Sequence, residues 1–279
     1  MADIKEIVDH LGVVRKLGWV PPSDSHKMAR SSRQGMIEFL DSTNRGLIPR
    51  DEWQPISRRL LFGPSFVNDQ KSSSGCSGWS GAQALMRLRH MAGMSFHKLS
   101  GAFLYSQVNG NRDNGSVILD VDSTLTTQGT CLESEFNFPK IFDRDVPSSA
   151  RETAKRFKLL QSLTLDTFDE AATAIQLGYI VCYPLQVGSN FNKFDNGVAG
   201  YAKGYGNHAV HAFGLVNVNG VWCLETGNSW SASWGPWSNG SCLVSEKAFA
   251  GLGGSDDSYC QIAPKADTEE SNPPPAPVE

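Results

Sequence analysis

The stretch NDQKSSSGCSGWSGAQAL, residues 68–85, decides how this chain is read. From Cys76 to about Met91, the spacing of Trp79, Ala82, Leu85 and Met86 gives an apolar face wide enough for a buried helix. Residues 72–75 are the small, polar loop feeding it. Cys76 therefore falls just inside a helix start, where the positive end of the helix dipole lowers a thiol's pKa and favours the nucleophilic thiolate. A lone cysteine in such a place is more often a small buried hydrophobe, so the weight falls on what accompanies it.

Three further segments accompany it. Gln70 stands six residues upstream of Cys76, and Trp79 and Ser80 stand three and four residues after it. Downstream, GNHAVHAFGL (206–215) reads as a strand carrying His208 and His211, and ETGNSWSASWGPWSNG (225–240) holds Asn228, Trp230 and Trp234. These segments, in this order, resemble the papain-like cysteine peptidases, in their bacterial and phage-type form. Cys76 aligns to the family nucleophile, Gln70 to the glutamine that donates to the oxyanion, His208 to the base and Asn228 to the amide that orients it. The two downstream residues follow Cys76 by about 130 and about 150 residues, the separation typical of that signature. LSGAFLYSQVNGNRDNGSVILDVDSTLTTQGTCLESEFNFP (99–139) resembles the family's middle region, so the likeness spans residues 66–250.

The resemblance implies an α+β, papain-like two-lobe fold: a helical lobe, an antiparallel β-barrel-like lobe, and an active site in the cleft between them. It implies hydrolysis of peptide bonds through a Cys-His-Asn triad and a thioester acyl-enzyme, with no metal or organic cofactor and with a peptide or protein as substrate. Gly115, in the loop NRDNGS, becomes a candidate for backbone pairing with an extended substrate, with an ordinary turn glycine as the plain alternative. Trp230 takes the place of the residue that shields the histidine–asparagine hydrogen bond from water. His211 is the rival base. Three residues from His208 on a strand, it points to the other face and is expected to be structural. The sequence departs from the family at Ser77, usually tryptophan, and at Ser73, usually a half-cystine. The same catalytic set would serve an amidase or acyl transferase acting on cell-wall or conjugated peptides, and the fold could also persist as a silent component of a larger assembly.

The rest of the chain sets bounds. Its 279 residues, 40% hydrophobic and 19% charged, suit a globular protein of two lobes. A net charge of −4, with no basic stripe, argues against nucleic acid or an anionic membrane as the main partner. The N-terminus lacks a signal-peptide pattern and no apolar run is long enough to span a bilayer, so an intracellular, soluble protein is expected. The six cysteines show no CxxC pair and no disulfide framework.

Four regions follow: an N-terminal arm or short propeptide over 1–60, a helical lobe over 61–160, a β-rich lobe over 161–263, and an acidic, proline-rich tail over 264–279. Ile4, Ile7, Val8 and Leu11 predict a helix within 3–16, and 35–40 predicts another. Helices are predicted at 100–108, 117–128 and 168–177. Strands are predicted at 179–187, 208–218, 220–225 and 240–244, with a hairpin turn at Asn219 and Gly220.

Overall fold

The computed structural model of the protein describes residues 5–202, 207–250 and 257–266. Its first ordered element is a hairpin where the apolar spacing predicts a helix: β1 (Glu6–Val8) pairs antiparallel with β2 (Val14–Lys16). Turn chemistry overrides the periodicity. The Asp9 carboxylate accepts from the N–H groups of Leu11 and Val13, and Gly12 adopts a φ of 80° that would end any helix. Of the predicted apolar face, Val8 and Leu11 are exposed.

Two helices complete the arm, α1 (Asp24–Ser31) and α2 (Met36–Ser42). The second lies where 35–40 predicts it. The first gave no hydrophobic signal because it buries no residue, and its Met28 is 74% exposed. It is held by polar contacts instead. Arg30 donates to the Leu165 carbonyl and pairs with Asp166 at 2.7 Å, His26 Nε2 lies 3.2 Å from Asp120, and Arg33 just beyond the helix pairs with the buried Asp122.

The helical lobe comprises α3 (Cys76–Met91), α4 (Gly101–Val108), α5 (Ile118–Thr127) and α6 (Ser148–Ala154). The first three fall where the sequence predicts them. Every residue of α3 from Cys76 to Arg89 is buried, because α4 and α5 pack on one side of it and the sheet on the other. Trp79 joins Phe103, Tyr105 and Phe136 in one apolar cluster, and Leu85 and Met86 join Phe213 and Tyr259 in another. Each such large side chain contributes about 1.5–3 kcal/mol on burial, so the helix carrying Cys76 is anchored along its length.

The second lobe contains β3 (Leu159–Leu165), α7 (Phe168–Gln176), β4 (Ile180–Leu185), β5 (Phe194–Asp195), β6 (Val198–Ala199), β7 (His208–Val218), β8 (Val221–Gly227), β9 (Ser241–Ser245), α8 (Glu246–Ala250) and β10 (Ser258–Pro264). The strands form one eight-stranded sheet in the order β3-β10-β4-β7-β8-β9-β6-β5. All neighbours are antiparallel except β6 and β9. Asn219 and Gly220, both at positive φ, make the predicted turn between β7 and β8. Among the described residues the sheet does not close into the expected barrel, and β3 and β5 remain as its edges.

No helix among the described residues is long and apolar enough to cross a membrane. The tail beyond residue 266 lies outside the described residues, as do 203–206 of the loop before β7.

Candidate active site

Cys76 is the first residue of α3 and is fully buried. Its sulfur accepts the N–H of Ala209 at 3.3 Å, so it sits against the start of β7, one residue from His208. Burial pushes the thiol up to about 11, opposed by backbone N–H groups of Ala209, Gly18, Ser77 and Cys76 itself.

His208 opens β7, opposite Leu185 of β4. Its Nε2 lies 2.8 Å from Asn228 Oδ1. That oxygen also accepts the Ser229 N–H at 2.7 Å, which fixes the amide with its oxygen toward the ring. Because an amide oxygen can only accept, Nε2 carries the proton and Nδ1 is left as the basic nitrogen. Nδ1 has no hydrogen-bond partner among the described residues. Asn228 follows β8 directly and is held by its own N–H to the Gly240 carbonyl at 2.8 Å. The Trp230 ring lies over the imidazole, with centroids 4.9 Å apart, and Trp230 is packed in turn by Phe191 and Trp234. Burial lowers the imidazole to about 4, with the Asn228 bond opposing the shift. Both shifts favour an uncharged thiol and an uncharged imidazole at neutral pH, and no hydrogen bond joins the two side chains among the described residues.

Gln70 is tied on every side. Its backbone N–H donates to the Ser229 carbonyl at 2.9 Å, and its Oε1 accepts the Ser229 hydroxyl at 2.6 Å. Its Nε2 donates to the Ser73 carbonyl at 2.8 Å and to the Lys16 carbonyl at 3.0 Å. The last partner belongs to the N-terminal arm.

Residues 16–20 run through the site as a strap. The Gly18 carbonyl accepts from the Ser116 N–H at 2.8 Å, and the Gly18 backbone is one of the groups that oppose the upward shift of the Cys76 thiol. The Trp19 N–H donates to the Asn207 carbonyl at 3.2 Å, and the Val20 N–H to the Ser116 carbonyl at 3.2 Å. A Cβ on Gly18 would lie 1.7 Å from the Ser74 carbonyl oxygen, so only glycine lets the strap lie this deep. Arg15 anchors the near end. It is 2% exposed, pairs with Asp9 at 2.8 Å and Asp69 at 2.6 Å, and donates to the Trp230 carbonyl at 2.8 Å. Lys16 pairs with Asp113 at 3.1 Å.

The opposite wall is the loop holding Gly115. The residue that pairs with the strap backbone is its neighbour Ser116. Gly115 itself, at a φ of 88°, supplies closeness: a Cβ there would lie 2.0 Å from the Gly18 carbonyl oxygen. Its N–H donates to the Tyr105 hydroxyl at 3.0 Å, and that hydroxyl donates to Asp113 at 2.9 Å. Asp113 also accepts the Ser74 N–H at 2.7 Å, tying the glycine loop to the loop that leads into Cys76. Ser77, where the family has tryptophan, is hydrogen-bonded through its hydroxyl to Ser116.

His211 lies away from this group. It is buried against Gly227 and Phe213, with Arg87 as the neighbouring charge, whereas His208 carries the asparagine bond. Sequence reading missed Arg15, Trp19, Asp113 and Asp257, the last of which accepts the Trp19 indole N–H at 2.6 Å. Arg15 and Trp19 lie in an irregular polar arm, and Asp113 and Asp257 in loops, where no periodic or motif signal could have marked them. All six cysteines are free, and no group of three or more metal-ligating side chains among the described residues could hold an ion.

No protein-family model matches the sequence, and no curated protein matches it either. Similar folds do occur among solved structures. Xylellain, a cysteine protease from Xylella fastidiosa, is 16% identical with a TM-score of 0.60, over 88% of this chain and 91% of that one. A procathepsin B from Trypanosoma congolense is 14% identical with a TM-score of 0.64, over 90% and 86%. The protease and lectin-like domains of Cwp84 from Clostridium difficile are 16% identical with a TM-score of 0.62, and this chain spans 54% of that longer protein's length while 77% of this one is covered. Taken with the helix bearing Cys76 packed against the sheet bearing His208 and Asn228, these likenesses establish that the chain has the fold of the papain-like cysteine proteases.

Proposed function

We propose that the protein is a cysteine peptidase, held closed in the full chain by its own residues 16–20. The observation that carries this reading is that one peptide segment is gripped at once by the Gln70 side-chain amide, through the Lys16 carbonyl, and by the Ser116 N–H, through the Gly18 carbonyl, with Gly18 packed on the Ser74 carbonyl two residues before Cys76. An extended peptide is thus already accommodated at the nucleophile and at the donor a tetrahedral oxyanion would need.

With the strap displaced and water admitted, the desolvation that keeps both groups neutral is relieved. Nδ1 of His208 takes the thiol proton, giving a thiolate–imidazolium pair whose charges stabilise each other. The sulfur attacks the substrate carbonyl carbon, and the carbonyl π electrons move to oxygen, where the Cys76 N–H and Gln70 Nε2 hold the negative charge. Collapse expels the amine, which takes its proton from His208. Asn228 Oδ1 keeps the imidazole in the required plane and tautomer throughout, beneath Trp230. Water activated by the same histidine then hydrolyses the thioester, and the thiol is regenerated.

The strap meets the glycine loop through a parallel bridge between Trp19 and Ser116. Residues 43–46, which follow α2, are all exposed and form the accessible place for the arm's removal.

Alkylation of the cysteines by iodoacetamide across pH tests this reading. In the native full chain, where the thiol is pushed up to about 11, Cys76 labelling should be slow at pH 7 and still be rising at pH 10. In Gly18→Ala, whose Cβ cannot clear Ser74, Cys76 should be labelled at least about tenfold faster than the other five cysteines at neutral pH, through formation of the ion pair. His208→Ala added to that variant should abolish the advantage. Equal labelling of all six cysteines, or indifference to His208, would overturn the assignment.

A further inference from the structure

The peptide unit that joins Ser73 to Ser74 is clamped at both ends. Its carbonyl accepts from Gln70 Nε2 at 2.8 Å, and its N–H donates to Asp113 Oδ1 at 2.7 Å. Ser73 is tied a second time, its own N–H and its hydroxyl both donating to the Gln70 carbonyl, at 3.1 and 2.9 Å. The same Asp113 oxygen accepts the Tyr105 hydroxyl at 2.9 Å, and the other oxygen faces Lys16 Nζ at 3.1 Å. Both serines are buried. No disulfide steadies this loop, since all six cysteines are free, so noncovalent contacts decide which way the peptide plane faces.

A planar peptide unit turns as one body. If the Ser74 N–H leaves Asp113, the Ser73 carbonyl swings with it, and Gln70 Nε2 loses the partner that aims it. The Cys76 N–H, the second oxyanion donor, lies just beyond, separated from Ser74 only by Gly75. That residue has no side chain to steady the backbone, and a Cβ there would lie 2.4 Å from the Trp79 ring. We propose that Asp113 is a positioning residue for acyl transfer: through the 73–74 peptide it holds Gln70 Nε2 and the Cys76 N–H where the oxyanion forms. It touches neither the sulfur nor the imidazole, and the triad geometry stands without it.

This inference rests on the proposed peptidase activity for its first readout and is independent of it for the second. Alkylation of Cys76 by iodoacetamide needs the thiolate and forms no oxyanion, whereas peptide hydrolysis needs both. The first readout is the ratio of kcat/KM for one fluorogenic peptide to the rate constant for Cys76 alkylation. That ratio does not depend on the fraction of molecules with the strap open, so the full chain serves. Asp113→Ala should lower it at least about tenfold, short of the roughly 10²- to 10³-fold expected when a whole donor is removed. Asp113→Asn keeps an accepting oxygen opposite the Ser74 N–H and should bring the ratio back to within about threefold of the native chain. Asp113→Glu keeps the charge but sets the carboxylate one methylene too far. It should lose as alanine does, and it carries the test if Asp113→Ala does not fold. The second readout requires no turnover: calorimetric affinity for the aldehyde of the same acyl peptide, relative to the matching alcohol. Addition of the thiol across the aldehyde carbonyl puts a thiohemiacetal oxygen where the oxyanion would form, so Asp113→Ala should lower this ratio by at least about tenfold and Asp113→Asn should restore it. Absent hydrolysis with Asp113-dependent aldehyde capture would sink the peptidase reading and keep this one. Ratios unchanged in Asp113→Ala and Asp113→Glu, as when alkylation falls in step with hydrolysis, or a loss that Asp113→Asn does not recover, would overturn it.

Discussion

Arg15→Ala in the full chain is expected to raise peptide hydrolysis, and Cys76 alkylation at neutral pH, by about 100-fold. Arg15 is the one buried cation of the arm that reaches the two-lobe body. It pairs with Asp69 at 2.6 Å and donates to the Trp230 carbonyl at 2.8 Å, and its removal also strips Asp9 of its partner inside the hairpin. Breaking a buried pair by deleting one partner costs about 3–5 kcal/mol. Asp69 is partly solvated, so about 3 kcal/mol is the fair share, and at about 1.4 kcal/mol per tenfold this multiplies the open fraction by about 100. Lys16, Arg30 and Arg33 still pair with Asp113, Asp166 and Asp122, so the arm should loosen over the cleft without leaving the body. Initial rates on one fluorogenic peptide measure the gain. An unchanged rate at an unchanged melting temperature would show that the strap does not gate the site.

Cys76→Ala should have the largest effect, a loss of hydrolysis of at least about 10⁴-fold measured in the Arg15→Ala background. Members of a catalytic unit fail together, so deletion of the nucleophile removes nearly all the rate gained by the set and leaves what binding and the oxyanion donors supply. His208→Ala should come close to the same floor, because the proposed mechanism has no other group to take the thiol proton. Gln70→Ala should cost less, about 10²- to 10³-fold in kcat, as expected for one oxyanion donor. Ser229 and Ser73 hold Gln70 from both ends, so its amide is already aimed and a glutamate substitute could not donate in its place.

Much of this was readable from residue order because the decisive pieces are local motifs on strongly patterned elements. The helix starting at Cys76 has an apolar face that its burial then extends all round, and β7 and its turn at Asn219 and Gly220 announce themselves by apolar run and turn chemistry. Elements whose stability comes from elsewhere were not readable. The helix α1 has no apolar face, since ion pairs to Asp120, Asp122 and Asp166 secure its surroundings. The hairpin at Glu6–Lys16 was hidden by an apolar spacing that three residues, Asp9, Gly12 and Arg15, overrule. Strand β10 has its first four residues all buried and so lacks the alternation that marks a half-exposed strand. At the site, Gln70, Cys76, His208 and Asn228 carried motif context, whereas Trp19 and Asp257 meet only through folding across almost the whole chain.

The sulfur's role as nucleophile is tested most directly by intact-protein mass spectrometry of the Arg15→Ala chain, acid-quenched during turnover of an activated peptide ester. The account predicts a covalent adduct of the acyl mass that maps to the peptide containing Cys76, is released by hydroxylamine, and is absent when His208 is replaced by alanine. Steady hydrolysis with no adduct on Cys76, or an adduct on another residue, would contradict it.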